Sequence, residues 1–130
     1  MDAAYDRLVM GLPSSIAPSE QEDLMTAYHE AGHALTSLLT TSTLSLYKVT
    51  IQARANSLGH TNYIPQSDFD VYTKKELESI LDVMMGGRAA EELMFGTRNL
   101  GTGCGSDVSK ATDVAKQMVK LQAMSKLNYN

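Results

Sequence analysis

Two of the chain's three histidines lie four residues apart, in His29-Glu30-Ala31-Gly32-His33. On a helix a four-residue step stacks both imidazoles on one face, so that both can reach one zinc ion. Glu30 is rotated by about 100° from His29 and lies beside that ion rather than on it. A general base belongs there: zinc lowers the pKa of a water, Glu30 takes its proton, and the nucleophile attacks a peptide carbonyl polarised by the metal. A chain of this His and Glu content would contain the pattern by chance about four times in a thousand. Ordinary surface histidines are therefore the weaker reading.

A catalytic zinc site normally has three protein ligands and one open position, so a third ligand is required. His60 is the remaining histidine, but it sits in a predicted strand and lacks the short spacing of the metzincin pattern. Glu91 and Glu92 sit on a downstream helix, where other zinc enzymes find a third ligand. Asp107 follows a glycine-rich loop at the opening of a helix, where backbone donors can orient its carboxylate and where a plain helix cap is the alternative. Spacing alone leaves this choice open. Cys104, three positions earlier, reads as a free thiol, because a single cysteine is not a zinc-ligand pattern.

The elements that must position these groups follow from periodicity and capping. Residues 1–19 read as a lead-in or linker, with a short helix from Asp2 to Met10 stopped by Gly11-Leu12-Pro13. Ser19 and Glu22 form a capping box. After it Leu24, Tyr28, Ala31, Leu35 and Leu38 recur at helical spacing, predicting a helix from Glu20 to Leu39 with this stripe as its core face. Alternation over Leu44 to Ile51 and again near Gly59 to Ile64 predicts two strands, joined through Arg54 to Ser57 and closed by Pro65 to Asp68. A second capping box, Thr73 with Glu76, opens a helix that continues to Gly96. The interior pair Gly86-Gly87 costs about 1 kcal/mol per residue relative to Ala, which close approach by another element would offset, the metal-bearing helix being the natural one. A glycine-rich loop from Gly96 to Ser106 then leads to a last helix capped by Ser106-Asp107, with Val108, Ala111, Ala115, Met118 and Val119 on its stripe.

Composition sets the outer bounds. A length of 130 residues with 43% hydrophobic content supports one core, residues 20–130 forming one domain. With no Trp, two Phe and eight Met, that core is expected to be helical and rich in methionine. A net charge of −4 with scattered Lys and Arg argues against nucleic acid as a partner. No apolar run approaches the roughly 20 residues of a membrane span, and Met1-Asp2 does not begin a signal or transit peptide, so the chain is expected to be soluble.

Five segments in order are similar to the peptidase domain of the FtsH-like, ATP-dependent membrane zinc metalloproteases. They are Thr26 to Ala34, Tyr47 to Ile51, Gly86 to Leu93, Thr102 to Asp107, and Ala111-Thr112. The resemblance implies a mainly α fold with a small β-sheet, a zincin-like helical peptidase domain whose metal-binding helix carries the His-Glu-x-x-His motif. It implies one Zn2+ per chain on His29, His33 and Asp107, Glu30 as catalytic base, and Glu91 or Glu92 supporting the ligands without binding the metal. It also implies a homo-hexamer acting on unfolded or membrane-protein polypeptides, with a non-catalytic assembly module as the alternative. The stretch Gly103-Cys104-Gly105-Ser106-Asp107 looks most like the mitochondrial i-AAA branch, which implies the inner membrane with the active site facing the intermembrane space; a bacterial or chloroplast membrane is the alternative. No Gly-x-x-x-x-Gly-Lys-Ser/Thr phosphate loop is present. ATP and Mg2+ are therefore expected only through an ATPase module absent here, as are the membrane segments, and the domain reads as C-terminally truncated. The Arg54 to Ser57 loop beside an open strand would pair with an extended substrate, as in the family.

Overall fold

Ser19 accepts a hydrogen bond from Glu22 N at 3.2 Å while Glu22 Oε2 accepts from Ser19 N at 2.8 Å, and this reciprocal cap opens helix α1, Glu20–Leu39. Thr73 and Glu76 repeat the device at the start of α2, Lys74–Phe95. The computed structural model describes residues 19–40, 44–51, 59–65, 72–120 and 122–125. The predicted helix at Asp2 to Met10, the connection at Arg54 to Ser57 and the segment Gln66 to Asp68 lie outside them.

Among the described residues the fold is mainly α with one two-stranded antiparallel sheet, β1 (Leu44–Thr50) and β2 (His60–Pro65). The register runs from Leu44 opposite Pro65 to Thr50 opposite His60. It slips between Leu46 and Lys48, leaving Tyr47 as an extra residue. This bulge corrects the expectation of unbroken alternation along β1, because an inserted residue shifts the phase of the ladder. Helix α2 ends at Gly96, whose φ of 79° suits glycine and whose N–H bonds Glu92 O at 3.0 Å. Two short 3-10 turns, Thr97–Asn99 and Thr102–Cys104, lead into α3, Gly105–Lys120. No helix among the described residues is long and apolar enough to cross a membrane.

Among the described elements, helices α1 and α2 make the most extensive contact. They meet backbone to backbone: a Cβ built on Gly32 would overlap Gly86 O and lie 2.7 Å from Ala90 Cβ, and one built on Gly86 would lie 2.6 Å from Gly32 O. Helix α2 therefore runs unbroken through Gly86-Gly87, with the close approach that offsets its interior glycines.

This crossing inverts the expected core face of α1. His29, Glu30, His33 and Ser37 are the buried residues, while Leu24, Leu35 and Leu38 are 46%, 59% and 69% exposed. Gly32 fixes which side of α1 faces α2; of the stripe, Tyr28 meets Phe95 of α2 edge-on with ring centroids 5.7 Å apart, while the three leucines lie outward. On α3 likewise, Ala111 and Met118 are buried, but Val108 and Val119 of the predicted stripe are exposed. Of the methionines expected inside, Met118 is buried, Met25, Met84 and Met85 are half-buried, and Met94 is exposed.

Replacing Gly86 by Ala should lower stability by about 1–3 kcal/mol, since overpacking against a backbone carbonyl that cannot yield outweighs the ~1 kcal/mol gain in helix propensity. Urea unfolding followed by circular dichroism measures this; an unchanged midpoint would mean that the two backbones do not touch.

Candidate metal centre

The four-residue step of α1 delivers what its spacing promised: the rings of His29 and His33 stand with centroids 4.7 Å apart, both buried. Each is held from behind by α2. His33 Nδ1 lies 2.7 Å from Val83 O, and a carbonyl can only accept, so that nitrogen carries the hydrogen. His29 Nδ1 lies 2.6 Å from Glu91 Oε1 and donates to it in the same way. Glu91 is 3% exposed, and its second oxygen accepts from Gly101 N at 2.9 Å, so the buried carboxylate has a donor on each oxygen.

With the hydrogens on Nδ1, the Nε2 atoms of the neutral rings are bare lone pairs. They face each other at 3.1 Å, and Asp107 Oδ2 lies 3.0 Å from His29 Nε2 and 3.1 Å from His33 Nε2. Three electron-rich atoms at such distances repel unless a cation or protons lie among them. His29, His33 and Asp107 form the candidate metal-holding group among the described residues. Two imidazole nitrogens and one carboxylate oxygen suit Zn2+, whose catalytic sites take three protein ligands and keep one position open.

The ionisation of the group follows from the same contacts. Burial disfavours the charged form of His29, but hydrogen bonds to Asp107 and Glu91 outweigh it and raise its pKa above the ordinary imidazole value. His33 is raised too, with Asp107 and the Val83 carbonyl outweighing burial. Burial alone would raise Asp107, yet its bonds to the two histidines hold it well below the usual carboxylate range.

Glu30 is buried one residue from His29 and faces the sheet side of α1, where a Cβ on Gly59, just before β2, would lie 3.0 Å from Glu30 Cγ. The Asp107 side chain caps nothing. The Thr102–Cys104 turn runs straight into α3 with Gly105 already helical, so Asp107 falls in the first turn and its carboxylate turns to the histidines. This corrects the predicted Ser106-Asp107 cap. Glu92, by contrast, is exposed, and His60 opens β2 opposite Thr50. Cys104 is a free thiol bonded to Gly101 O at 3.3 Å. The Val83 carbonyl and the Gly101 N–H were not legible from sequence, because a backbone group carries no residue-type signal.

Residues 16–129 match the sequence profile of peptidase family M41. An ATP-dependent zinc metalloprotease YME1 homolog of Caenorhabditis elegans is 50% identical over 128 residues, 96% of this chain and 18% of that protein. The Arabidopsis thaliana ATP-dependent zinc metalloprotease FTSH 11, chloroplastic/mitochondrial, is 42% identical over 96% of this chain and 16% of its own length. The ATP-dependent zinc metalloprotease FtsH of Rickettsia felis is 41% identical over 98% of this chain and 20% of its own length. The chain thus spans about a fifth of the curated relatives it matches.

Glu91→Gln should weaken zinc binding about 10–100-fold in a chelator competition titration, because the amide cannot accept from both His29 and Gly101. Glu92→Gln should leave it unchanged; equal effects would remove Glu91 from the site. Protons compete with zinc for the same Nε2 atoms, and both histidines hold them above the usual pKa of 6.5. Zinc affinity should therefore fall as pH drops from about 8 to about 6, with proton release on binding measurable by calorimetry in buffers of different ionisation enthalpy.

Proposed function

Since the chain belongs to peptidase family M41, we propose that it is the zinc-dependent endopeptidase part of an ATP-dependent protease. The observation that carries this reading is the convergence of His29 Nε2, His33 Nε2 and Asp107 Oδ2 at 3.0–3.1 Å, with both Nδ1 atoms turned away into bonds with Glu91 and Val83. These three atoms would hold the metal, and Glu91 would fix the His29 ring. When bound, zinc supplies Lewis acidity, lowering the pKa of water and polarising a peptide carbonyl.

The chain's own residues do the proton work. Glu30 takes the proton of the attacking water as its oxygen bonds to the peptide carbon, then returns it to the amine nitrogen as the C–N bond breaks. Glu30 is buried, with its Cγ against Gly59 on the sheet side of α1.

Residues 20–130 make up the peptidase domain in this reading, with 1–19 a lead-in. Unfolding and delivery would belong to an ATPase ring and a membrane anchor elsewhere in the full-length protein, assembled as a homo-hexamer on unfolded or membrane-protein substrates. The similarity to a protein named chloroplastic/mitochondrial supports an organellar setting, for which the reading is the mitochondrial inner membrane with the peptidase facing the intermembrane space, a bacterial or chloroplast membrane being the alternative.

In the full-length protein, Glu30→Gln should retain one zinc per chain and lose cleavage of an unfolded polypeptide by about 10²–10⁴-fold, read by gel and by metal analysis. Undiminished cleavage by that variant would overturn the assignment of the base. A wild-type protein that takes up no zinc would favour a non-catalytic module.

A further inference from the structure

Gly86 and Gly87 are neighbours in sequence but face different things. A Cβ on Gly86 would meet the α1 backbone at Gly32 and the Thr36 hydroxyl, whereas one on Gly87 would lie 2.6 Å from each of His29 Cε1, His29 Nε2 and His33 Nε2. Gly87 is buried, so its bare Cα forms one wall of the place where the two Nε2 atoms meet.

The rings cannot simply retreat. Ordinary contact begins at 3.4 Å, so a methyl group would push the two nitrogens back by about 0.8 Å. That movement carries the rings away from the helix that holds them and stretches the bonds from His33 Nδ1 to Val83 O and from His29 Nδ1 to Glu91 Oε1, now 2.7 and 2.6 Å. Val83, Gly87 and Glu91 stand at four-residue steps on α2 and so form one row along a single face. The row presents a carbonyl, an empty position and a carboxylate. Its ends hold the two rings by their Nδ1 atoms, and its centre leaves their Nε2 atoms room.

We propose that Gly87 is a positioning residue for the metal: its missing side chain keeps open the space in which His29 and His33 share one ion. The inference rests on the zinc reading above and adds a steric requirement that the ligands themselves do not express. Its consequence is that any side chain at this position closes the site while leaving the helix intact, because α2 itself would accept Ala more readily than Gly.

The test is Gly87→Ala in the full chain, with helicity followed by circular dichroism, zinc affinity by chelator competition, and ligand geometry by the visible absorption of bound cobalt(II). Wild-type helicity with zinc affinity reduced at least about 100-fold and an altered cobalt spectrum is the expected result. Wild-type affinity in G87A overturns the proposal while leaving the zinc reading intact; absence of zinc uptake by the wild-type chain sinks both. Should G87A alone fail to fold, the same substitution in an H29A/H33A background decides. With the rings removed, it should melt no lower than its metal-free parent, and a lower melting temperature there would show that the methyl clashes with something other than the imidazoles.

Discussion

The close crossing of α1 and α2 at Gly32 and Gly86 is the constraint on which the rest of the structure depends. Two helices that meet at their backbones are fixed in rotation as well as distance, because a small turn of either would drive a side chain into the contact. That rotation brings His33 to the Val83 carbonyl and His29 to Glu91. A pair of helices held apart by large side chains would leave these backbone and carboxylate acceptors out of reach.

The crossing also explains why so polar a set of residues occupies the interior. His29, Glu30, His33, Ser37, Ser79 and Glu91 are buried, while Val83, Ala111 and Met118 are the buried apolar residues among those described. Buried polar groups are tolerated when each has a partner, and here the partners are mutual: imidazole with carboxylate, carboxylate with the Gly101 amide, imidazole with a helix carbonyl. Two acids, Glu91 at His29 Nδ1 and Asp107 at both Nε2 atoms, stand against the two imidazoles, a charge balance that favours a cation between the Nε2 atoms and Asp107.

A third dependence links the site to the segment after α2. Gly96 stops the helix, and the turns that follow return the chain so that Gly101 bonds Glu91 and Asp107 reaches the histidines. One short stretch thus fixes both Asp107 and the carboxylate behind His29, two parts of the candidate metal centre. Half-buried Cys104 ties this stretch to itself through Gly101 O rather than to the metal group.

The sequence by itself determined α1 and α2 with their capping boxes, α3 apart from its cap, the pair of strands, and the stacking of His29 and His33 on one helix face, because these rest on local spacing and on groups a few residues apart. It also pointed to the reason for Gly86-Gly87. Only the tertiary structure decided which acid stands behind His29 and which stands in solvent, since Glu91 and Glu92 are adjacent and differ by a rotation about α2. It decided that Asp107 turns to the histidines instead of capping α3, and that Leu24, Leu35 and Leu38 of α1 face outward. Periodicity can identify two faces of a helix, but the face that is buried depends on where a neighbouring backbone can approach, and at Gly32 that approach occurs on the side bearing the histidines.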